Sequence, residues 1–166
     1  PDDGVFVTDM TTPAYAALSE WPVQAPAQFL HPVGFGALGY ALPTAIGIKS
    51  SDRARQVLVL AGDGGFQFTL QELAVAVEQK LGLPIVIWNN RGYGEIRRTE
   101  DLRHPGKRIA VDVNPPRFQN LAAAYSAEYV RFESQAVATQ THAVKNAVQT
   151  ALTRDVPTLI EIVDTH

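Results

Sequence analysis

The sequence predicts an α/β fold with a mostly parallel sheet and helices on both faces, and three observations carry that prediction. Continuous β-prone apolar runs stand at Gln56–Ala61 and Pro84–Trp88, as strands buried on both faces require, and Pro157–Val163 reads as a further strand. Stretches with apolar residues at helical spacing separate them. Strand and helix alternate along the whole chain, the pattern of crossover-connected parallel strands.

Taken in order, Val5-Phe6-Val7 reads as a short strand ending at Thr8-Asp9. A helix follows from Thr12 or Pro13 to about Leu18. Pro22, Pro26 and Pro32 make the stretch Trp21–Pro32 irregular. Leu38 to Lys49, rich in alanine and leucine, is expected to be helical, with Pro43 in its first turn or at a kink. After the strand at Gln56–Ala61, Thr69 and Glu72 spell a capping box. Leu70, Leu73, Ala74, Val77 and Leu81 then follow at helical spacing, with Gly82 and Pro84 as the stop. Pro84–Trp88 is the next strand, closed by Asn89-Asn90. The polar, glycine- and proline-containing region from Arg91 to Arg117 holds a short helix near Glu95–Leu102 and then a loop. Phe118–Ser126 is a helix and Glu128–Phe132 a strand. Val137, Val144, Val148, Ala151 and Leu152 mark one face of a long helix, and Pro157–Val163 is the last strand.

Length and composition bound the function. The 166 residues suit one domain able to bury a core. They are 46 % hydrophobic and 19 % charged, an apolar balance that fits a piece covered by other domains or a partner subunit. The net charge of −3, without a basic run, gives no surface for a nucleic-acid backbone. No cysteine is present, so disulfides and thiolate metal sites are excluded. The apolar runs are strand-sized and too short to span a bilayer. With no visible signal peptide and Pro1 rather than Met at its start, the chain reads as a cytoplasmic protein cut from a longer parent. It shows no internal repeat, low-complexity segment or second domain.

Ligands of open parallel sheets bind at the carboxyl ends of strands, and two such ends carry unusual chemistry. They are Gly62-Asp63-Gly64-Gly65 and Asn89-Asn90-Arg91-Gly92-Tyr93-Gly94. A helix over Thr69–Lys80 spans roughly 18 Å at ~1.5 Å per residue, and a strand over Leu83–Asn89 returns roughly 20 Å at ~3.3 Å per residue. One crossover therefore brings the asparagines to the edge that holds Asp63. A carboxylate, an amide oxygen and free backbone carbonyls are hard donors suited to Mg²⁺, and glycines let backbone N–H groups approach an anion closely. A diphosphate held through Mg²⁺ fits this arrangement.

The segment GDGGFQFTLQELAVAVEQKLGLPIVIWNN resembles the signature of the thiamine-diphosphate enzyme family. GFGALGYALPTAIG is similar to that family's pyrimidine-side motif and PTLIEIV to its closing strand. The resemblance covers the whole chain and implies a thiamine-diphosphate-binding domain, residues 1–166, from a 2-oxoacid decarboxylase or acetolactate-synthase-like enzyme. Carried over residue by residue, it implies that Asp63, Asn90 and the Gly92 carbonyl ligate Mg²⁺. Gly62, Gly64, Gly65, Tyr93 and Gly94 line the diphosphate. Gly65 stands where many relatives have serine, so a hydroxyl contact is missing. Gly36, Ala37 and Leu38 form the pyrimidine side: the Gly36 carbonyl accepts from the amino group, the Leu38 N–H donates to a ring nitrogen, and the Leu38 side chain wedges the cofactor into a V shape. The folded cofactor performs the hard chemistry and the protein supplies geometry and electrostatics.

The family's activating glutamate lies in a different domain, usually of a neighbouring subunit. The resemblance therefore implies missing N-terminal and middle domains, a homo-oligomer, and a fragment inactive by itself. Glu95 and Ile96 fall where relatives face the substrate. Ile96 occupies the place of the glutamate of pyruvate-decarboxylase-type enzymes, so this chain departs from that subgroup. WNNRGYGEIRR is similar to the guanidino-oxoacid decarboxylases, and a carboxylate at Glu95 suits a substrate with a guanidinium tail, such as 5-guanidino-2-oxopentanoate. The competing reading turns Glu95 outward to pair with Arg98 or Arg91.

Two rivals use the same residues. Gly34 to Gly39 spell G-x-G-x-x-G with Asp63 24 residues beyond, a dinucleotide fingerprint that would make this a nicotinamide oxidoreductase domain. Pro26 and Pro32 interrupt the strand that fingerprint needs, and the asparagine pair is left unexplained. A non-catalytic assembly domain of the same family is the second, opposed by the intact Asp63 and Asn90. His31 and His104 could approach substrate, His142 reads as a helix-surface residue and His166 as terminal, and for each an ordinary surface or core role is the favoured reading.

Overall fold

A computed structural model describes residues 3–137 and 139–164. Six strands form one sheet: β1 (Val5–Thr8), β2 (Phe29–Leu30), β3 (Val57–Gly62), β4 (Pro84–Asn89), β5 (Glu128–Glu133) and β6 (Thr158–Val163). Their order is β2-β1-β3-β4-β6-β5, and every neighbouring pair is parallel. The helices are α1 (Thr12–Glu20), α2 (Ala41–Ser51), α3 (Asp63–Phe66), α4 (Leu73–Glu78), α5 (Gly94–Arg103), α6 (Phe118–Ala124), α7 (Ser134–Val137) and α8 (Thr141–Leu152).

Alternation along the central strands sorts the core. Val5, Val7, Val57, Val59 and Ala61 face the larger cluster with Leu42, Ile46, Leu73 and Phe118, from α2, α4 and α6. Phe6 and Leu60 point the other way, against Ala14 of α1. Burying a leucine, isoleucine or phenylalanine side chain stabilises by about 1.5–3 kcal/mol, so the larger cluster carries most of the fold. The chain steps from β1 outward to β2 and then back across to β3, so the direction of winding reverses between β1 and β3. Ligands of such sheets bind at that reversal.

Several elements differ from the sequence reading. The Trp21–Pro32 stretch contains β2, a two-residue edge strand in register with Phe6 and Val7. Prolines flank it without interrupting it. α2 begins at Ala41 rather than Leu38, with Pro43 in its first turn. The capping box is not formed. Thr69 Oγ1 donates instead to the Gly39 carbonyl at 2.9 Å, and Leu70–Glu72 winds as a 3₁₀ turn before α4. A tertiary acceptor outcompetes the local one. The α4 stop lies at Lys80, in the left-handed region at φ 54°, while Gly82 serves packing: a Cβ there would lie 2.2 Å from the Arg154 carbonyl oxygen. Val137 belongs to the separate short α7, so the long helix is confined to Thr141–Leu152. His166 lies outside the described residues. No described helix is long and apolar enough to cross a membrane.

Candidate functional site

Three strand ends meet at the reversal: Thr8-Asp9 after β1, Gly62-Asp63 in β3 and α3, and Asn89-Asn90 closing β4. A crevice of about 220 Å³ opens over them. Its walls bring together Gly36, Leu38, Gly62, Gly64, Gly65, Asn90, Gly92, Tyr93, Gly94, Glu95 and Ile96, every one of them singled out from the sequence. Ala37 is exposed and does not line it.

Glycines are needed here for close approach. A Cβ on Gly64 would lie 2.7 Å from the Tyr93 ring, one on Gly92 2.2 Å from the Val111 carbonyl oxygen, and one on Gly94 2.3 Å from Asn90 Nδ2. Gly36, at φ 72°, takes a left-handed turn that residues with a side chain rarely adopt. Leu38 Cδ2 comes within 3.5 Å of the position a Gly65 Cβ would take, so the two motifs touch across the crevice.

Asp63 is fully buried beside the turn after β4. Its Oδ2 accepts from the Gly92 N–H at 3.0 Å. Its Oδ1 is buried with no hydrogen-bond partner. Burial pushes the carboxyl up to about 6, against backbone N–H groups at Gly64, Gly92, Asp63 and Asn90 that pull it down. A carboxylate oxygen left without a partner costs free energy, and a cation is what would satisfy it. Among the described residues no three His, Cys, Asp or Glu side chains group to hold a metal by themselves. A cation here would thus draw on amide and carbonyl oxygens and on its ligand, the habit of Mg²⁺ with phosphates.

The turn after β4 is fixed from several directions. Arg97 of α5 donates to the Arg91 carbonyl at 2.9 Å and the Asn90 carbonyl at 3.3 Å, and pairs with Asp112 at 3.0 Å. Gly92 bridges Asp112, and the Tyr93 N–H donates to Val111 at 2.9 Å. The segment after α5 therefore folds back as a strap on the turn.

Met10 and Thr11 of the β1–α1 connection, with Thr12 and Tyr15 of α1, complete the crevice. Sequence reasoning missed them. Thr8-Asp9 ends a strand just as the two recognised motifs do, but carries no glycines to advertise it. Asp9 is likewise buried, its Oδ1 accepting from the Ala41 N–H at 2.9 Å and its Oδ2 from the Gly39 N–H at 3.2 Å. Burial raises its carboxyl, opposed by the N–H groups of Ala41, Gly39 and Tyr40. Asp9 thereby ties β1 to the loop that carries Gly36 and Leu38.

At the mouth, Glu95 lines the crevice while its Oε2 accepts from Arg98 Nε at 3.2 Å. Ile96 is half exposed beside it. His31 does not line the crevice: its Nδ1 meets Thr8 Oγ1 at 2.7 Å and its ring stacks on Phe29. The Gly34–Gly39 fingerprint is not entered from a full strand, since β2 ends at Leu30 and the chain turns through residues 31–40 before α2.

Residues 9–162 match the family model "Thiamine pyrophosphate enzyme, C-terminal TPP binding domain". The chain is 42 % identical over 134 residues to the probable 2-ketoarginine decarboxylase of Pseudomonas aeruginosa, covering 75 % of this chain and 22 % of that protein. It is 30 % identical over 162 residues to the acetolactate synthase large subunit of Lactococcus lactis, covering 96 % of this chain and 27 % of that one. Among solved structures, the thiamine diphosphate-dependent 4-hydroxybenzoylformate decarboxylase of Rhodococcus jostii superposes with a TM-score of 0.84 at 28 % identity, over 99 % of this chain and 30 % of its own. The chain thus spans less than a third of these relatives.

Proposed function

Because this chain belongs to the thiamine pyrophosphate enzymes, as their C-terminal TPP binding domain, we propose that it binds thiamine diphosphate through Mg²⁺ in a decarboxylase whose 2-oxoacid substrate has a guanidinium tail. The observation that carries the metal reading is the orphaned, buried Oδ1 of Asp63. Asp63, Asn90 and the Gly92 carbonyl would hold the ion. Backbone groups of Gly62, Gly64, Gly65, Tyr93 and Gly94 would line the diphosphate. Gly36 and Leu38 would form the pyrimidine side, with Leu38 as the apolar wedge, while the exposed Ala37 only joins them in the chain.

When bound, thiamine diphosphate supplies the electron sink that lets a 2-oxoacid lose CO₂. This chain's residues fix the cofactor's position, and the apolar face of Leu38 keeps water from one side. The activating carboxylate belongs to another domain in this reading, so the chain alone would be inactive. The complete enzyme would be a homo-oligomer containing the N-terminal and middle domains.

For the substrate, the relative named for 2-ketoarginine supports a cationic tail, and Glu95 is the carboxylate at the crevice mouth. Arg98 now lies on it, but that side chain is 66 % exposed. A solvent-exposed pair contributes about 0–1 kcal/mol, so a substrate guanidinium can replace Arg98 at little cost. The test is the full-length enzyme with Glu95→Gln, assayed on 5-guanidino-2-oxopentanoate and on pyruvate. Loss of a charge-assisted hydrogen bond, about 1.5–3 kcal/mol, should lower kcat/KM for the guanidino acid roughly 10- to 100-fold, with pyruvate spared. Equal losses on both substrates, or no turnover of the guanidino acid by the wild type, would refute the substrate assignment and favour acetolactate-synthase-like chemistry.

A further inference from the structure

Only the second asparagine of the Asn89-Asn90 pair has a part in the proposed metal site. The first is 7 % exposed and turns away from it. Its Nδ2 donates to Glu161 Oε1 at 2.5 Å, and its Oδ1 accepts from the Arg91 N–H at 3.1 Å. Glu161 is itself buried, on β6 between β4 and β5, and its other oxygen accepts from the Tyr129 hydroxyl. A hydrogen-bonded line therefore runs across three strands, from Tyr129 through Glu161 and Asn89 to the backbone of Arg91.

A carboxylate buried in a sheet is costly unless its oxygens are satisfied, and here both oxygens have donors. Tyr129 stays a donor throughout the working pH range, because burial and then the bond to Glu161 hold its hydroxyl well above the ordinary range. The line ends on a residue that needs holding. Arg91 sits in the left-handed region at φ 58°, a conformation that disfavours a residue with a side chain. The amide of Asn89 secures it there, and the negative Glu161 polarises that amide into a better acceptor. Arg91 joins Asn90 to Gly92, so its conformation sets the relative placement of those two residues.

We infer that Glu161, acting through Asn89, is a positioning residue that presents Asn90 and the Gly92 carbonyl to the metal. The inference rests on the Mg²⁺ reading above. Neither Glu161 nor Tyr129 touches the crevice, so neither is a catalytic residue.

The experiment uses the full-length enzyme and follows thiamine diphosphate binding by intrinsic fluorescence while Mg²⁺ is titrated. Glu161→Ala removes the acceptor, and Asn89→Asp sets two carboxylates against each other. Each should raise the Mg²⁺ concentration for half-saturation at least tenfold. Thiamine diphosphate affinity at saturating Mg²⁺ should be nearly recovered, which general loosening of the fold would not allow. The double variant Asn89→Asp/Glu161→Gln reverses the polarity of the pair, so that an amide on β6 donates to a carboxylate at the end of β4. It should return half-saturation to within about threefold of wild type. An unchanged Mg²⁺ response in Glu161→Ala, or a double variant no better than Asn89→Asp alone, would overturn the inference. If Glu161→Ala does not fold, the double variant still decides. Wild-type binding that ignores Mg²⁺ would refute the metal reading itself, and this inference with it.

Discussion

The buried carboxyl of Asp63 makes the metal-free protein lose stability as pH rises. Its ordinary value is 3.8 and burial pushes it up to about 6, so the folded chain holds this proton more tightly than the unfolded chain does. Stability from this group is fully present below 3.8 and is lost as pH rises through about 6. A shift of about two units, at ~1.4 kcal/mol per unit, amounts to roughly 3 kcal/mol. Burial raises the Asp9 carboxyl as well, so the effect is best read as a difference. Wild type and Asp63→Asn are unfolded in urea, in the presence of a chelator, from about pH 4 to about pH 7. Asparagine carries no charge at any of these values, and any fixed cost of its amide among backbone N–H groups cancels from the slope. Because pH 4 already lies just above the unfolded value, wild type should lose roughly 2.5 kcal/mol relative to the variant across that range. Adding Mg²⁺ and thiamine diphosphate should abolish the loss, since a cation then takes the proton's place. A flat difference in the metal-free protein, or one of opposite sign, would refute the reasoning.

Two further outcomes follow from packing. Gly82→Ala places a methyl 2.2 Å from the Arg154 carbonyl oxygen and 3.1 Å from that of Leu152. Thermal unfolding should register an overpacking loss of about 1–3 kcal/mol, the cost of moving backbone aside. Asp9→Ala strands the buried N–H groups of Gly39 and Ala41, at about 1–3 kcal/mol for each unsatisfied donor. It should also weaken thiamine diphosphate binding more than binding of inorganic diphosphate with Mg²⁺, because the loop it holds carries Gly36 and Leu38.

Much of the site was legible in the sequence because adjacent parallel strands place their ends together. Once Gln56–Ala61 and Pro84–Trp88 are recognised as strands, Asp63 and Asn90 must meet. The Gly36–Leu38 side was legible from its resemblance to a family motif, and the structure seats Leu38 against Gly65 with Gly36 in the same crevice. Asp9 was not legible, since a lone aspartate after a strand has no local mark. Its partners lie at Gly39 and Ala41, which only the tertiary fold brings near. The same physics undid the capping box: Thr69 satisfies Gly39 across the chain and leaves its own helix uncapped. Glu161 was hidden too, because nothing within PTLIEIV marks the Asn89 and Tyr129 partners that the sheet order brings to it.

The position of β6 also governs the order in which the sheet can be completed. β6 lies between β4 and β5 yet follows both in the chain. During synthesis, which proceeds from the N-terminus, β4 and β5 emerge with no means of pairing. The side of β4 that β6 will occupy remains an open edge, and such edges recruit strands from other molecules. A ribosome that stalls before Thr158 leaves a sheet missing an interior strand, not one merely trimmed at its margin. Pairings this distant in sequence form slowly, so the window for misassembly lasts until the β6 segment has been made and inserted.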